Sequence, residues 1–231
     1  MLAATATSFD AKNPVAGLSV GDMPDPAAAE GWTVVKVKAT ALNHHDLWSL
    51  KGVGLREDQL PMILGTDAAG VDEDGNHVVI HAVVGDPARG GGDETLDPKR
   101  SLLSEVHNGT LAELVAVPRR NVVPKPASLS FEQASCLPTA WLTAYRMLVT
   151  RGKLVAGETV LIQGAGGGVS TALIPLARSL GLRVWVTSRD EGKRAQAVGL
   201  GADQAFEPGA RLPERVDAVM ESVGEATWSH S

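Results

Sequence analysis

Val160-Leu161-Ile162-Gln163-Gly164-Ala165-Gly166-Gly167-Gly168-Val169 runs from a short apolar segment straight into a cluster of glycines. A buried strand that ends in glycines and leads into a helix brings backbone N–H groups close to a ligand, with the helix N-terminus facing its negative charge. The flanks fit that reading. Thr159–Gln163 reads as the strand, about Val169 to Leu180 as the helix, Arg183–Thr187 as a second strand, about Glu191 to Leu200 as a second helix, and Val216–Glu221 as a further strand. Strands alternating with helices at this spacing form βαβ units and a doubly wound parallel sheet. Pro175, inside the first helix, predicts a kink there.

The ligand this arrangement suits is a dinucleotide, its pyrophosphate on Gly164, Ala165, Gly166, Gly167, Gly168 and Val169. Which one depends on the end of the second strand, where an acid binds a free ribose 2′-hydroxyl and repels a 2′-phosphate. The sequence there is Val186-Thr187-Ser188-Arg189-Asp190. Ser188 stands at the ribose-reading position, with Arg189 beside it and Lys193 one turn on, a hydroxyl and cations suited to a phosphate dianion. NADPH is therefore expected ahead of NADH. The competing reading gives the acid's work to Asp190 and leaves Arg189 as a solvated surface residue.

Upstream, Trp32–Leu42 alternates apolar and polar residues as a half-buried strand does, and Gly70–Asp72, His77–Val84 and Ala112–Val117 are further short strands. Residues 1–123 thus read as an irregular, mostly antiparallel β domain and 124–231 as the α/β domain. Between the strands, residues 85–109 form a long Gly-, Pro- and charge-rich connection, expected to be a protease-sensitive surface excursion. Ser130 with Gln133 three residues on caps the helical stretch Ala134–Val149.

The bulk properties exclude several function classes. The net charge of −6 over 231 residues, with only the scattered basic pairs Lys99-Arg100, Arg119-Arg120 and Lys193-Arg194, offers no basic stripe for nucleic acid. No segment approaches the about 18 apolar residues that span a bilayer. The single cysteine, Cys136, forms no internal disulfide, and no Cys-x-x-Cys pair is present, so a reducing cytoplasm is expected.

Several motifs carry a resemblance: Ala41-Leu42-Asn43-His44-His45-Asp46, Gly65-Thr66-Asp67-Ala68-Ala69-Gly70-Val71, Gly109-Thr110-Leu111-Ala112-Glu113, and Leu137-Pro138 with Thr143-Ala144-Tyr145. With the glycine turn they make the chain resemble the medium-chain dehydrogenases/reductases, in particular their quinone oxidoreductase-like branch. The resemblance implies an N-terminal GroES-like β domain and a Rossmann domain whose last strands, about 100 residues, are absent. It implies Thr143, Ser222 and Gly224 beside the nicotinamide half of the cofactor, and leaves a homodimer open.

Zinc members of the family carry ligands at positions that fall on Asn43, Thr66 and Thr139. An amide and two hydroxyls do not replace thiolate and imidazole, so no zinc is expected, and the four-cysteine zinc lobe gives way to residues 85–109. A residual metal reading uses His44, His45, Asp46 and Asp67, but adjacent histidines on an extended segment face opposite ways. The expected activity is hydride transfer to a quinone or α,β-unsaturated carbonyl. Asn43 would donate to the developing oxygen, Asp46 and His45 are further catalytic candidates, and Trp48 is either pocket wall or core. A truncated, silent nucleotide-binding remnant and a zinc alcohol dehydrogenase are the alternatives.

Overall fold

The chain opens with a hairpin that alternation misses: β1 (Leu2–Ala6) pairs antiparallel with β2 (Leu18–Asp22) in the computed structural model, which describes residues 1–231. Its inward residues include Ala3 and Ala6, too small to give a strong periodic signal. The strand expected from Trp32 is β3 (Trp32–Ala41), and after it the chain turns into a short helix, α1 (His44–Leu50). β4 (Met62–Ile63) then joins the hairpin in the order β2-β1-β4.

A five-stranded antiparallel sheet follows, built from β3 with β5 (Asp67–Val71) and β6 (His77–Ile80), and later in the chain β9 (Leu114–Pro118) and β10 (Val122–Pro124), in the order β10-β6-β5-β3-β9. The strand expected over His77–Val84 is broken after Ile80. Asn121 enters the break, its Nδ2 donating to the His81 and Val83 carbonyls at 2.8 and 2.7 Å. The remainder is β7 (Val83–Val84), which pairs with β8 (Ser101–Leu102). Val35, Val78, Ile80, Leu103, Val115 and Val117 form the core of this sheet.

Residues 85–109 are more ordered than their composition implies. The fully buried Asp97 carboxylate accepts from Arg89 Nη2 at 2.7 Å and from the backbone N–H groups of Asp86 and Lys99, both at 2.8 Å. The Arg89 guanidinium, with those N–H groups, holds this carboxyl well below the usual carboxylate range.

The capping box at Ser130 is present and starts α2 (Phe131–Ser135). Ala134 clusters with Ala69 and Val79, so this segment packs on the first sheet, and the chain divides into compact units Met1–Thr139 and Ala140–Ser231. The expected helix over Ala134–Val149 is an alternation: Leu137–Trp141 is π-helical, α3 (Leu142–Tyr145) is regular, and Arg146–Arg151 is π-helical again.

In the second unit β11 (Thr159–Ile162), β12 (Arg183–Thr187), β13 (Gln204–Phe206) and β14 (Ala218–Met220) form a parallel sheet in the order β13-β12-β11-β14. This is the 3-2-1-4 order of a doubly wound sheet, with β13 as the third strand that its two apolar residues, Ala205 and Phe206, made hard to see. The helices are α4 (Gly168–Ser179), which runs on through Pro175, α5 (Glu191–Gly199) and α6 (Glu225–Trp228). Val160, Ile162, Leu173, Ile174, Val184 and Val186 are buried together, each side chain contributing about 1.5–3 kcal/mol.

Candidate functional site

The glycine turn sits between β11 and α4 and is fastened from two sides. Gly164 and Ala165 donate their N–H groups to Thr187 Oγ1 at 3.3 Å and Thr187 O at 2.8 Å. Ser170 Oγ accepts from Gly167 N at 3.0 Å and donates to Gly164 O at 3.0 Å. Gly164 and Gly166 have φ of +76° and +99°, where only glycine is unstrained. A methyl on Gly164 would collide with Val223 Cγ2, and one on Gly166 would lie 2.7 Å from Lys193 Cδ. Gly167 caps α4, and Gly168 and Val169 head it.

Beside the turn lies a cavity of about 810 Å³, within the range of small-molecule sites. Of the candidate residues Gly164, Ala165, Ser188, Arg189 and Lys193 line it, together with Thr187, Asp190, Pro208, Val223, Ala226 and Thr227. Asp190 is engaged elsewhere, since its Oδ1 accepts from Lys193 N at 2.9 Å and caps α5. Arg189 and Lys193 are exposed, and neither forms an ion pair. Arg194, which sequence reasoning passed over, donates to Ser188 O at 2.6 Å and secures the end of β12.

The remaining cofactor candidates are placed less directly. β14 lies beside β11 as expected, but between Ser222 and Gly224 it is Val223 that walls the cavity. Glu221 Oε1 accepts from Val223 N at 2.6 Å and Gly224 N at 2.9 Å, fixing that corner. Thr143 is exposed on α3, which packs against α4, and does not line the cavity. Gln163 was also missed. Fully buried, it accepts from Thr187 Oγ1 and contacts His230 Nδ1 at 3.2 Å, joining the strand ends.

In the first unit the fold brings Asn43, Thr66 and Thr139 together around Asp67, which is 1% exposed. Asn43 Nδ2 donates to Asp67 Oδ2 at 2.9 Å and to Thr66 Oγ1 at 3.4 Å. Thr139 Oγ1 donates to Asp67 Oδ1 at 2.6 Å, so in its 3.1 Å contact with Thr66 Oγ1 it is Thr66 that donates. With Asp67 ionised, all these donors point inward, and Asn43 offers its carbonyl oxygen. In that state the Asn43 amide hydrogens are engaged by Asp67 and Thr66. Burial pushes the Asp67 carboxyl up, against the hydrogen bonds from Asn43 and Thr139, and the Asp46 charge adds to the rise.

Asp46 is a brace. Its Oδ2 accepts from Asn43 N at 2.8 Å and its Oδ1 from Gly65 N at 3.1 Å, which fixes the two loops carrying Asn43 and Thr66. Its carboxyl is raised by burial. His45 Nε2 lies 3.0 Å from Glu105 Oε1, and its buried Nδ1 has no partner. The extended segment assumed for His44 and His45 is the first turn of α1, so the two point about 100° apart and not to opposite faces. Trp48 is 51% exposed with Lys51 Nζ 4.8 Å from its ring, which rules out a core role.

Residues 29–127 match the alcohol dehydrogenase GroES-like domain. Over 93% of its length the chain is 31% identical to the acryloyl-coenzyme A reductase of Metallosphaera sedula, covering 69% of that protein. Its fold matches the crystal structure of an NAD-dependent alcohol dehydrogenase with a TM-score of 0.80 and 36% identity, over 90% of this chain and 63% of that one. It also matches the quinone oxidoreductase of Thermus thermophilus, solved with NADPH, with a TM-score of 0.69 and 31% identity, over 95% and 60% of the two chains. The chain spans 57–59% of the length of other curated relatives, quinone oxidoreductases among them. No helix is long and apolar enough to cross a membrane. A GroES-like β unit, a 3-2-1-4 parallel sheet with a glycine turn, and these likenesses together place the chain in the medium-chain dehydrogenase/reductase superfamily.

Proposed function

We propose that this chain carries the machinery of an NADPH-dependent reductase that delivers hydride to a quinone or an α,β-unsaturated carbonyl without zinc. The observation that carries the reading is the array at Asn43, Thr66 and Thr139. The side chains at the three zinc-ligand positions of the family are one amide and two hydroxyls, tied to one another and to Asp67. That donor set does not fit Zn²⁺, which takes thiolate, imidazole or carboxylate.

The glycine turn, Gly164 to Val169, fits a pyrophosphate, and Ser188 with Arg189 fits a ribose 2′-phosphate. The capping role of Asp190 supports NADPH over NADH, because the nearest acid is already engaged by α5. NADPH, when bound, supplies the hydride. Without a Lewis acid the acceptor is already electron-poor, as quinones and enones are. Thr143, Ser222 and Gly224 flank the nicotinamide half. Asn43, braced by Asp46 and Asp67, presents an acceptor oxygen that orients a donor group of the substrate, and the proton that follows the hydride comes from water.

The test is NADPH consumption against a panel of quinones and enones, by this chain and by one extended to the length of its relatives. Turnover with a quinone or enone supports the reading. A second reading, nucleotide binding without turnover, is favoured by the four-stranded sheet, in which β14 pairs on one side only. It predicts NADPH binding with turnover in the longer chain alone. Inactivity of both chains contradicts the reductase reading.

A further inference from the structure

We infer that Gln163 and an uncharged His230 position the glycine turn and the Val223 corner for the nucleotide, so that protonation of His230 weakens nucleotide binding. The effect rests on the nucleotide reading of this cavity and adds to it a pH dependence that arises in the protein.

β12, β11 and β14 end side by side, and one buried amide joins their ends. Gln163, which follows β11, is fully buried. Its Oε1 accepts from Thr187 Oγ1, at the end of β12, and its Nε2 lies 3.2 Å from His230 Nδ1 and 3.1 Å from Ser231 Oγ. Ser231 Oγ in turn donates to Glu221 Oε2, just beyond β14, at 2.7 Å. Both ends of this chain of bonds reach the cavity. Thr187 Oγ1 accepts from Gly164 N at 3.3 Å, and Glu221 Oε1 holds the N–H groups of Val223 and Gly224.

The direction of the bonds is fixed from outside. The Gly164 N–H can only donate, so Thr187 Oγ1 accepts there and gives its own hydrogen to Gln163. The Glu221 carboxylate can only accept, so Ser231 Oγ gives its hydrogen to it. His230 Nε2 faces the Ala210 carbonyl at 3.0 Å and carries the ring's hydrogen, which leaves Nδ1 bare. All three conditions turn the amide the same way, Oε1 to Thr187 and Nε2 to Ser231 and His230. A second proton on the ring sets Nδ1–H against Nε2–H. Reversing the amide relieves that contact but deprives the Thr187 hydroxyl hydrogen of its acceptor. Either way a buried polar group beside the turn loses its partner.

No carboxylate pairs with the ring, whose nitrogens face Gln163 and Ala210. Glu221, Glu214, Arg215 and Asp217 line a second cavity, of about 710 Å³, together with His230. Glu221 is held as described, Asp217 Oδ2 accepts from Thr159 N at 2.7 Å, and Glu214 pairs with Arg183 at 2.8 Å. Near Ala210, Glu207 lies 3.6 Å from Arg194 and Arg211 is exposed. The plainer alternative is that the bonds fasten the strand ends in any protonation state.

Two readouts separate these possibilities: calorimetric titration with ADP-ribose, whose pyrophosphate does not titrate near neutrality, and the amide resonance of Gly164, which needs no ligand. In the native chain ADP-ribose is expected to bind about fivefold more weakly at about pH 5.5 than at about pH 8, and the Gly164 amide to shift over the same range. His230→Ala removes the acceptor and is expected to weaken binding about fivefold at about pH 8. His230→Asn, whose Oδ1 stands in for Nδ1 and takes no proton, is expected to restore binding and hold it within about twofold down to about pH 5.5. Equal pH profiles for the native chain and His230→Asn, or a Gly164 amide that ignores pH, overturn the coupling. If the native chain binds no ADP-ribose at any pH, the nucleotide reading falls and takes the effect on affinity with it. A Gly164 amide that still titrates marks that result as distinct from a failed coupling.

Discussion

Asp67 and Asp97 are both buried carboxylates in the first unit, one beside a zinc-ligand position of the family and the other in the 85–109 loop, yet one has a charged partner and the other has neutral donors. Asp97 has a guanidinium, Arg89, within 2.7 Å, besides the Asp86 and Lys99 N–H groups; Asp67 is held by neutral donors of Asn43 and Thr139. The first is held below the usual carboxylate range and the second is raised from its ordinary value by burial. A permanent counter-charge turns a buried carboxylate into a structural clasp. Without one, neutral donors are all drawn inward, which keeps Asn43 and Thr139 in a fixed order without settling the charge.

The largest expected effect is at the clasp. Asp97→Ala frees Arg89 and the N–H groups of Asp86 and Lys99, and limited proteolysis should cut residues 85–109 about tenfold faster or more. Equal cleavage rates would break the comparison at its stronger end. Next is Asp67→Ala, which leaves the Asn43 amide and Thr139 hydroxyl without their acceptor, at about 1–3 kcal/mol for each orphaned group. In calorimetry the melting temperature should fall by roughly 2–4 °C per kcal/mol; an unchanged value would mean that the array is not under tension from burial.

The pH dependence has opposite signs at the two sites. Asp97 has a lowered pKa, so its stabilisation relative to Asp97→Asn is present above the unfolded value of 3.8 and shrinks as the pH falls below it. Asp67 has a raised pKa, so folding favours its protonated form. The native chain gains on Asp67→Asn as the pH falls from neutrality through that raised value towards 3.8. Denaturant melts of both variants between about pH 3 and 7 should diverge from the native chain in opposite directions, and parallel curves would contradict the contrast. The smallest effect extends the same rule to a ligand. Arg189→Ser should weaken NADPH about tenfold and NADH by less than about twofold in fluorescence titrations, and equal losses would remove Arg189 from phosphate recognition.

What could be read from sequence followed the strength of the local signal. β3, β11, β12, α4 and α5 carry long apolar periodicities or sit against glycine and cap residues, and they lie within a residue or two of expectation. β1 and β13 are short and poor in large apolar side chains, and α1 follows a strand with no glycine or proline to mark the change. The convergence of Asn43, Thr66 and Thr139 could be named only through the family's motifs. What joins them, Asp67, was visible merely as a member of a metal set, because hydrogen-bond direction is a property of three dimensions. The Asp97 clasp was hidden for the same reason: 85–109 has loop composition, and the bonds that Asp97 gathers from Asp86, Arg89 and Lys99 appear only in the folded chain. The partners of Asp46 and His45 were hidden in the same way: Gly65 and Glu105 lie 19 and 60 residues away in the chain.

The measurement closest to the central claim is the zinc content of the purified chain after dialysis, by mass spectrometry. The array at Asn43, Thr66 and Thr139 predicts far less than one zinc per chain, with NADPH binding unaffected by a strong chelator. One tightly held zinc per chain would contradict the account.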